Sequence, residues 1–143
     1  MPQIMTASWF TALPRNATRK KGYLRLRALE PGPWFKSASP RRYLTLYSEI
    51  LSRLDPDEVC DRLLSFGDVP VLLCWERGHD CHVGSKWCHR HLAAQWLEDC
   101  LGIEVLEVGF PELDRFAYLE NNGIPIPHYR RHSHTSVAKQ RPR

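Results

Sequence analysis

The sequence predicts an α/β domain: a small three-layer sandwich, Rossmann-like, with a mainly parallel sheet of about four strands and helices on both faces. Three observations carry that reading. Residues 71–75, Val-Leu-Leu-Cys-Trp, form an unbroken apolar run, the pattern of a strand buried on both faces. From Trp87 onward, Cys88, Leu92, Ala93, Trp96, Leu97, Cys100 and Leu101 recur at helical spacing and make one apolar stripe. Residues 103–108, Ile-Glu-Val-Leu-Glu-Val, then read as a further strand. A strand, helix, strand crossover is nearly always right-handed and leaves its two strands parallel.

In chain order, residues 4–10 are expected to form the first strand. Residues 14–22 hold Arg15, Arg19, Lys20 and Lys21 without apolar periodicity and read as a loop, solvated or facing a phosphate. Residues 23–29 alternate weakly, as a second strand would, until Glu30-Pro31-Gly32-Pro33-Trp34 breaks them. Trp34 either packs on the core or walls a pocket. Ser39 and Pro40 are a helix cap and first position, followed by Tyr43, Leu44, Leu46, Tyr47, Ile50, Leu51 and Leu54 on one face. A second helix starts at Asp55-Pro56, carries Val59, Cys60, Leu63 and Leu64, and ends near Gly67. In the central unit Ser85 is a plausible cap and Gly102 a C-terminal glycine. Residues 111–119 resemble a short last helix that Asn121-Asn122-Gly123 ends.

The chain is expected to be one domain over residues 1–122, with 123–143 a basic, flexible tail. The formal net charge is +4, from 20 basic and 16 acidic residues. Arg130, Arg131, Lys139, Arg141 and Arg143 all fall in the tail, which has no acid, so the body keeps 15 basic residues against 16 acidic. That tail could contact a nucleic-acid backbone or serve only as a solubilising end. No apolar run approaches the roughly 20 residues of a membrane helix, so no membrane is expected as a partner. Five cysteines set inside apolar patterns suit reduced thiols, and the cytoplasm is the expected compartment.

The chemistry-bearing residues crowd around the central unit. In open parallel sheets, ligands bind beyond the carboxyl ends of strands and near helix N-termini. Cys74 and Glu76 lie at such a strand end, and Cys88, His89 and Arg90 at the next helix start. A thiol in a helix's first turn beside a cation is favoured as the thiolate. His89 can exchange protons near neutral pH, and Arg90 can fork onto an anion. These five are the candidate catalytic residues, with Ser8, Trp9, Trp34 and Arg90 as candidate ligand contacts. An anionic small molecule, nucleotide or nucleic-acid end is the ligand class such a site suits. A second reading is zinc held by Cys74, Cys81, His82 and Cys88, whose sulfurs would stand about 2.3 Å from the metal, although no close Cys-x-x-Cys pair is present. A third is structural: packed thiols and an Arg90–Glu76 bridge at an exposed rim. Cys60 and Cys100 read as core.

Leu72-Leu73-Cys74-Trp75-Glu76-Arg77, then Trp87-Cys88-His89-Arg90-His91-Leu92-Ala93-Ala94-Gln95-Trp96-Leu97, then Val105 to Glu107 resemble the family described as domain of unknown function 488. Ala7-Ser8-Trp9-Phe10 looks like that family's N-terminal Thr-Ser-Tyr-Phe element, and Pro33-Trp34 and Leu54-Asp55-Pro56 match as well. The resemblance covers residues 4–110. It implies a small α/β sandwich and no established reaction. The chain departs from the pattern in a longer loop over residues 78–86, which adds His79, Cys81 and His82, and in its basic tail.

Overall fold

The computed structural model describes residues 3–8, 22–74 and 88–130. It contains a four-stranded, all-parallel sheet with helices packed on it, the α/β class read from the sequence. The strands are β1 (Ile4–Ser8), β2 (Tyr23–Leu24), β3 (Val71–Cys74) and β4 (Val105–Glu107), in spatial order β2-β3-β1-β4. The helices are α1 (Pro40–Ser52), α2 (Pro56–Leu64), α3 (His89–Leu101) and α4 (Ala117–Asn121).

β2 and β4 are shorter than their apolar runs suggest. β2 has two residues, and Arg27–Leu29 turns into a 3-10 helix where continued alternation was expected. β3 is buried along its whole length, with Val71 at 3% exposure and Leu72, Leu73 and Cys74 at 2%, as a strand covered on both faces must be. Register places Ser8 beside Cys74 and Thr6 beside Glu107. Because side chains alternate along strands, Ile4, Thr6, Ser8, Leu72, Cys74, Val105 and Glu107 share one face of the sheet.

The described helices all pack on that face. Ile4, Leu24, Leu72 and Val105 join Tyr47, Leu51, Leu63, Leu92, Trp96 and Leu97 in one core. The handedness rule accounts for this. The steps from β2 to β3 and from β3 to β4 run in the same direction across the sheet, so right-handed crossovers put their helices on the same side. The opposite face holds a second, small cluster of Ala7, Val71 and Leu73, with no described helix in it. A third layer therefore has no counterpart among the described residues.

Helix ends follow the sequence signals. Ser39 accepts from the Arg42 N–H at 3.3 Å, and Asp55 accepts from the Asp57 N–H at 2.9 Å. Gly102 ends α3 at φ 67°, in the left-handed region that glycine adopts without strain. Ser85, the expected cap of α3, lies outside the described residues, and Cys88 itself occupies the N-cap position. The last helix is α4, beginning at Ala117 rather than near 111.

The boundary at 122/123 falls inside the packed region. Ile124 is 8% exposed and belongs to the core, with Ile126 and Tyr129 packed against it. The Tyr129 N–H donates to Asp99 Oδ2 at 2.8 Å, its hydroxyl meets Ser48 Oγ at 3.2 Å, and Arg41 donates to the Gly123 carbonyl at 3.1 Å. Residues 124–130 thus form an extended strap tying α1 to α3. Burial leads the effects that push the Tyr129 phenol up to about 12, although the Ser48 hydrogen bond acts against it.

Candidate functional site

The site is built where the carboxyl ends of β1, β3 and β4 meet the N-terminus of α3. β3 ends in Cys74, α3 is capped by Cys88, and the two sulfurs lie 2.8 Å apart. Neither is in a disulfide. They are closer than non-bonded sulfurs ordinarily pack and farther apart than the about 2.05 Å of a disulfide bond.

Arg90 holds this pair. Its Nη1 donates to Cys88 Sγ at 2.7 Å and to Cys74 Sγ at 2.8 Å. The rest of the guanidinium faces Glu107: Nε lies 3.0 Å from each carboxylate oxygen, and Nη2 lies 2.7 Å from Oε2. Glu107 Oε1 also accepts from the Thr6 hydroxyl at 2.7 Å. The ion pair is buried, with the Arg90 side chain 0% and the Glu107 side chain 2% exposed. Burial opposes the charge on Arg90, but the two sulfurs and Glu107 outweigh it and hold the guanidinium above its ordinary value.

A second pair braces the other end of α3. Arg115 bonds Glu98 at 2.8 Å and also donates to the Val105 carbonyl, while Glu98 accepts from the Val105 N–H at 2.7 Å. Burial works against the Glu98 charge, yet Arg115 and the Val105 N–H lower its carboxyl below the usual range. This clamp fixes the start of β4 on α3, and so fixes where Glu107 meets Arg90.

Aromatic rings approach the site through α1. Trp34 stands edge-on to Tyr43 at 5.0 Å, Tyr43 is 6.3 Å from Tyr47, and Tyr47 is 5.8 Å edge-on to the His89 ring. Tyr47 is fully buried and donates to the Leu29 carbonyl at 2.6 Å. Burial first, then the neighbouring Tyr43, Tyr129, Cys88 and Cys74, raise its phenol well above the usual value.

The candidates divide as follows. Cys74, Cys88, His89 and Arg90 converge, and Ser8 adjoins Cys74 through the β1–β3 register, itself fully buried. Trp34 does not join them; it packs on Tyr43 at the edge of the core. Glu76, Trp9, Cys81 and His82 lie outside the described residues. The Arg90 bridge at an exposed rim is corrected: Arg90 is buried, and the carboxylate that holds it among the described residues is Glu107. Sequence reasoning gave no role to Glu107 or Thr6. Glu107 carried a signal, since it shares a strand face with Val105, and an acid on a buried face is an anomaly.

The zinc reading meets a geometric test. Cys74, Cys88 and His89 offer ligand atoms within 4.8 Å of one another, the one such group among the described residues searched. Two thiolates on a tetrahedral zinc, each about 2.3 Å from it, would stand about 3.8 Å apart. The 2.8 Å spacing is much shorter, and Arg90 already donates to both sulfurs. The pair as it stands does not fit a tetrahedral dication.

No family model, no curated protein and no solved structure matches this chain. Among the described residues no helix is long and apolar enough to cross a membrane.

Proposed function

We propose that this chain is an enzyme-like thiol protein whose reactive element is the Cys74–Cys88 pair, with Cys88 the attacking sulfur and an anionic small molecule, of the phosphate or nucleotide class, as its ligand. The observation that carries the reading is Arg90 Nη1 donating to both sulfurs while Glu107 braces the rest of the guanidinium. A hydrogen bond from a cation favours sulfur as thiolate, the form that acts as nucleophile. Cys88 has the further advantage of the α3 N-terminus, whose partial positive charge favours an anion beside it. Arg90 is then a positioning residue for the sulfurs rather than the fork that grips the ligand, since its donors are engaged within the fold. His89, at the first position of α3 and only partly buried, is the proton carrier of the set. The resemblance to the family described as domain of unknown function 488 is in keeping with this reading, because its Cys-His-Arg motif supplies three of these residues. A reducing compartment such as the cytoplasm suits it too.

The test is competitive alkylation of the reduced protein, followed by peptide mapping. Cys60 is the internal slow reference, because burial and Asp61 push its thiol up. Cys88 should react faster than Cys60, and faster with iodoacetate than the charge-neutral iodoacetamide predicts. Inorganic phosphate or a nucleoside monophosphate should protect it. Cys88 reacting no faster than Cys60, with no protection by either anion, would reject the reading. Bound zinc in purified protein, measured by elemental analysis, would favour the metal reading instead.

A further inference from the structure

We infer that Cys74 and Cys88 are an oxidisable pair, closed by a small hydroperoxide into a disulfide that ties the end of β3 to the N-terminus of α3. The inference rests on the sulfur pair being reactive, as proposed above, but not on any anionic ligand.

Placement carries the first part. The sulfurs lie 2.8 Å apart on two fixed elements: Cys74 is in register with Ser8 in the sheet, and Cys88 caps a 13-residue helix. Closing the bond needs the two sulfurs to approach from 2.8 Å to the about 2.05 Å of a disulfide. Arg90 carries the second part, since its Nη1 contacts both sulfurs and holds them side by side. Burial selects the oxidant. With Cys74 2% and Cys88 1% exposed, a disulfide reagent with a bulky leaving group has little access. Hydrogen peroxide needs little more room than a water molecule.

The steps balance. The Cys88 thiolate attacks one peroxide oxygen, the O–O bond breaks, and the departing hydroxide takes a proton to become water. Cys88 is now a sulfenic acid. The Cys74 sulfur attacks Cys88 Sγ, the S–O bond breaks, and the second oxygen leaves as water with the Cys74 proton. Two thiols and one hydrogen peroxide give one disulfide and two waters. The two sulfurs are oxidised and the two peroxide oxygens are reduced. A neutral disulfide is a poorer acceptor than a thiolate, so oxidation weakens two of the Arg90 hydrogen bonds and leaves Glu107 as its principal partner.

The experiment uses the full-length reduced protein. It is treated with one equivalent of hydrogen peroxide, unfolded in urea with N-ethylmaleimide present, and mapped without reduction. The expected product is a Cys74–Cys88 crosslinked peptide, reversed by dithiothreitol and formed about tenfold or more faster than any oxidation of Cys60. In Cys74→Ser, intact-mass analysis should show Cys88 holding one added oxygen, the sulfenic acid left without a resolving thiol. The wild-type result does not depend on that variant folding. If peroxide leaves both thiols reduced while the protein stays folded by circular dichroism, or links either of them to Cys81 instead, the inference is overturned. Selective alkylation of Cys88 in that same sample would leave the proposed function standing.

Discussion

Arg90 and Glu107, 17 residues apart, form a buried ion pair in which Nε contacts both carboxylate oxygens at 3.0 Å and Nη2 contacts Oε2 at 2.7 Å. Such a pair is most costly when half of it is removed. Glu107→Gln keeps the shape but leaves a guanidinium buried without its counter-charge, which should cost about 3–5 kcal/mol in urea denaturation. The double variant Arg90→Met with Glu107→Leu should lose much less than the sum of the two single variants. Simple additivity would show that the pair is not coupled.

Acid should weaken the fold through His91. Its imidazole is fully buried, and neither ring nitrogen has a hydrogen-bond partner among the described residues. Burial first, then Arg90, Arg115 and His89, hold it well below the ordinary histidine range. In the unfolded chain it takes up a proton near pH ~6.5. Below that pH the unfolded state binds a proton that the folded state refuses, so stability falls by up to ~1.4 kcal/mol per pH unit until the folded value is reached. Above it the contribution is constant. Denaturation midpoints from pH 5 to 8 should show a shallower acid slope in His91→Leu than in the wild type. Equal slopes would exclude His91 as the source.

Gly102→Ala should cost about 1 kcal/mol, as a lowered denaturation midpoint with an unchanged m-value. A Cβ there meets nothing within 4 Å, so the penalty comes from the positive φ alone. Gly102→Asn should cost less, because asparagine tolerates the left-handed region.

Ile124→Ala should destabilise the protein by about 2 kcal/mol or more, as expected for a core isoleucine. If residues from 123 onward contributed nothing to the core, thermal melts of wild type and variant would coincide.

Much of the site could be read from the residues before any coordinates. The unbroken run through Cys74 marks a doubly buried strand, and the helix stripe together with Gly102 fixes α3. Those two elements bring Cys74, Cys88 and Arg90 to one edge. The partner of Arg90 was harder to see, because Glu76 is nearer in sequence, whereas β4 comes alongside β1 only through the sheet order. The strap was hidden for another reason. Ile124 and Ile126 alternate with Pro125 and Pro127, so the apolar spacing of two is that of an extended segment laid on helices, set in a proline-rich composition that suggests a loose end.

The central place of β1 has a consequence for the order of assembly. It is synthesised before the other three strands, yet Met5 pairs with Val71 and Ile4 with Val105, so both edges of β1 wait for distant partners. A nascent chain that has reached only Gly102 already contains both cysteines and Arg90, but not the carboxylate that neutralises the guanidinium. Completion of the sulfur cluster therefore waits for the last strand of the sheet. It follows the emergence of Glu107, and only a finished β4 lets β1 become an interior strand.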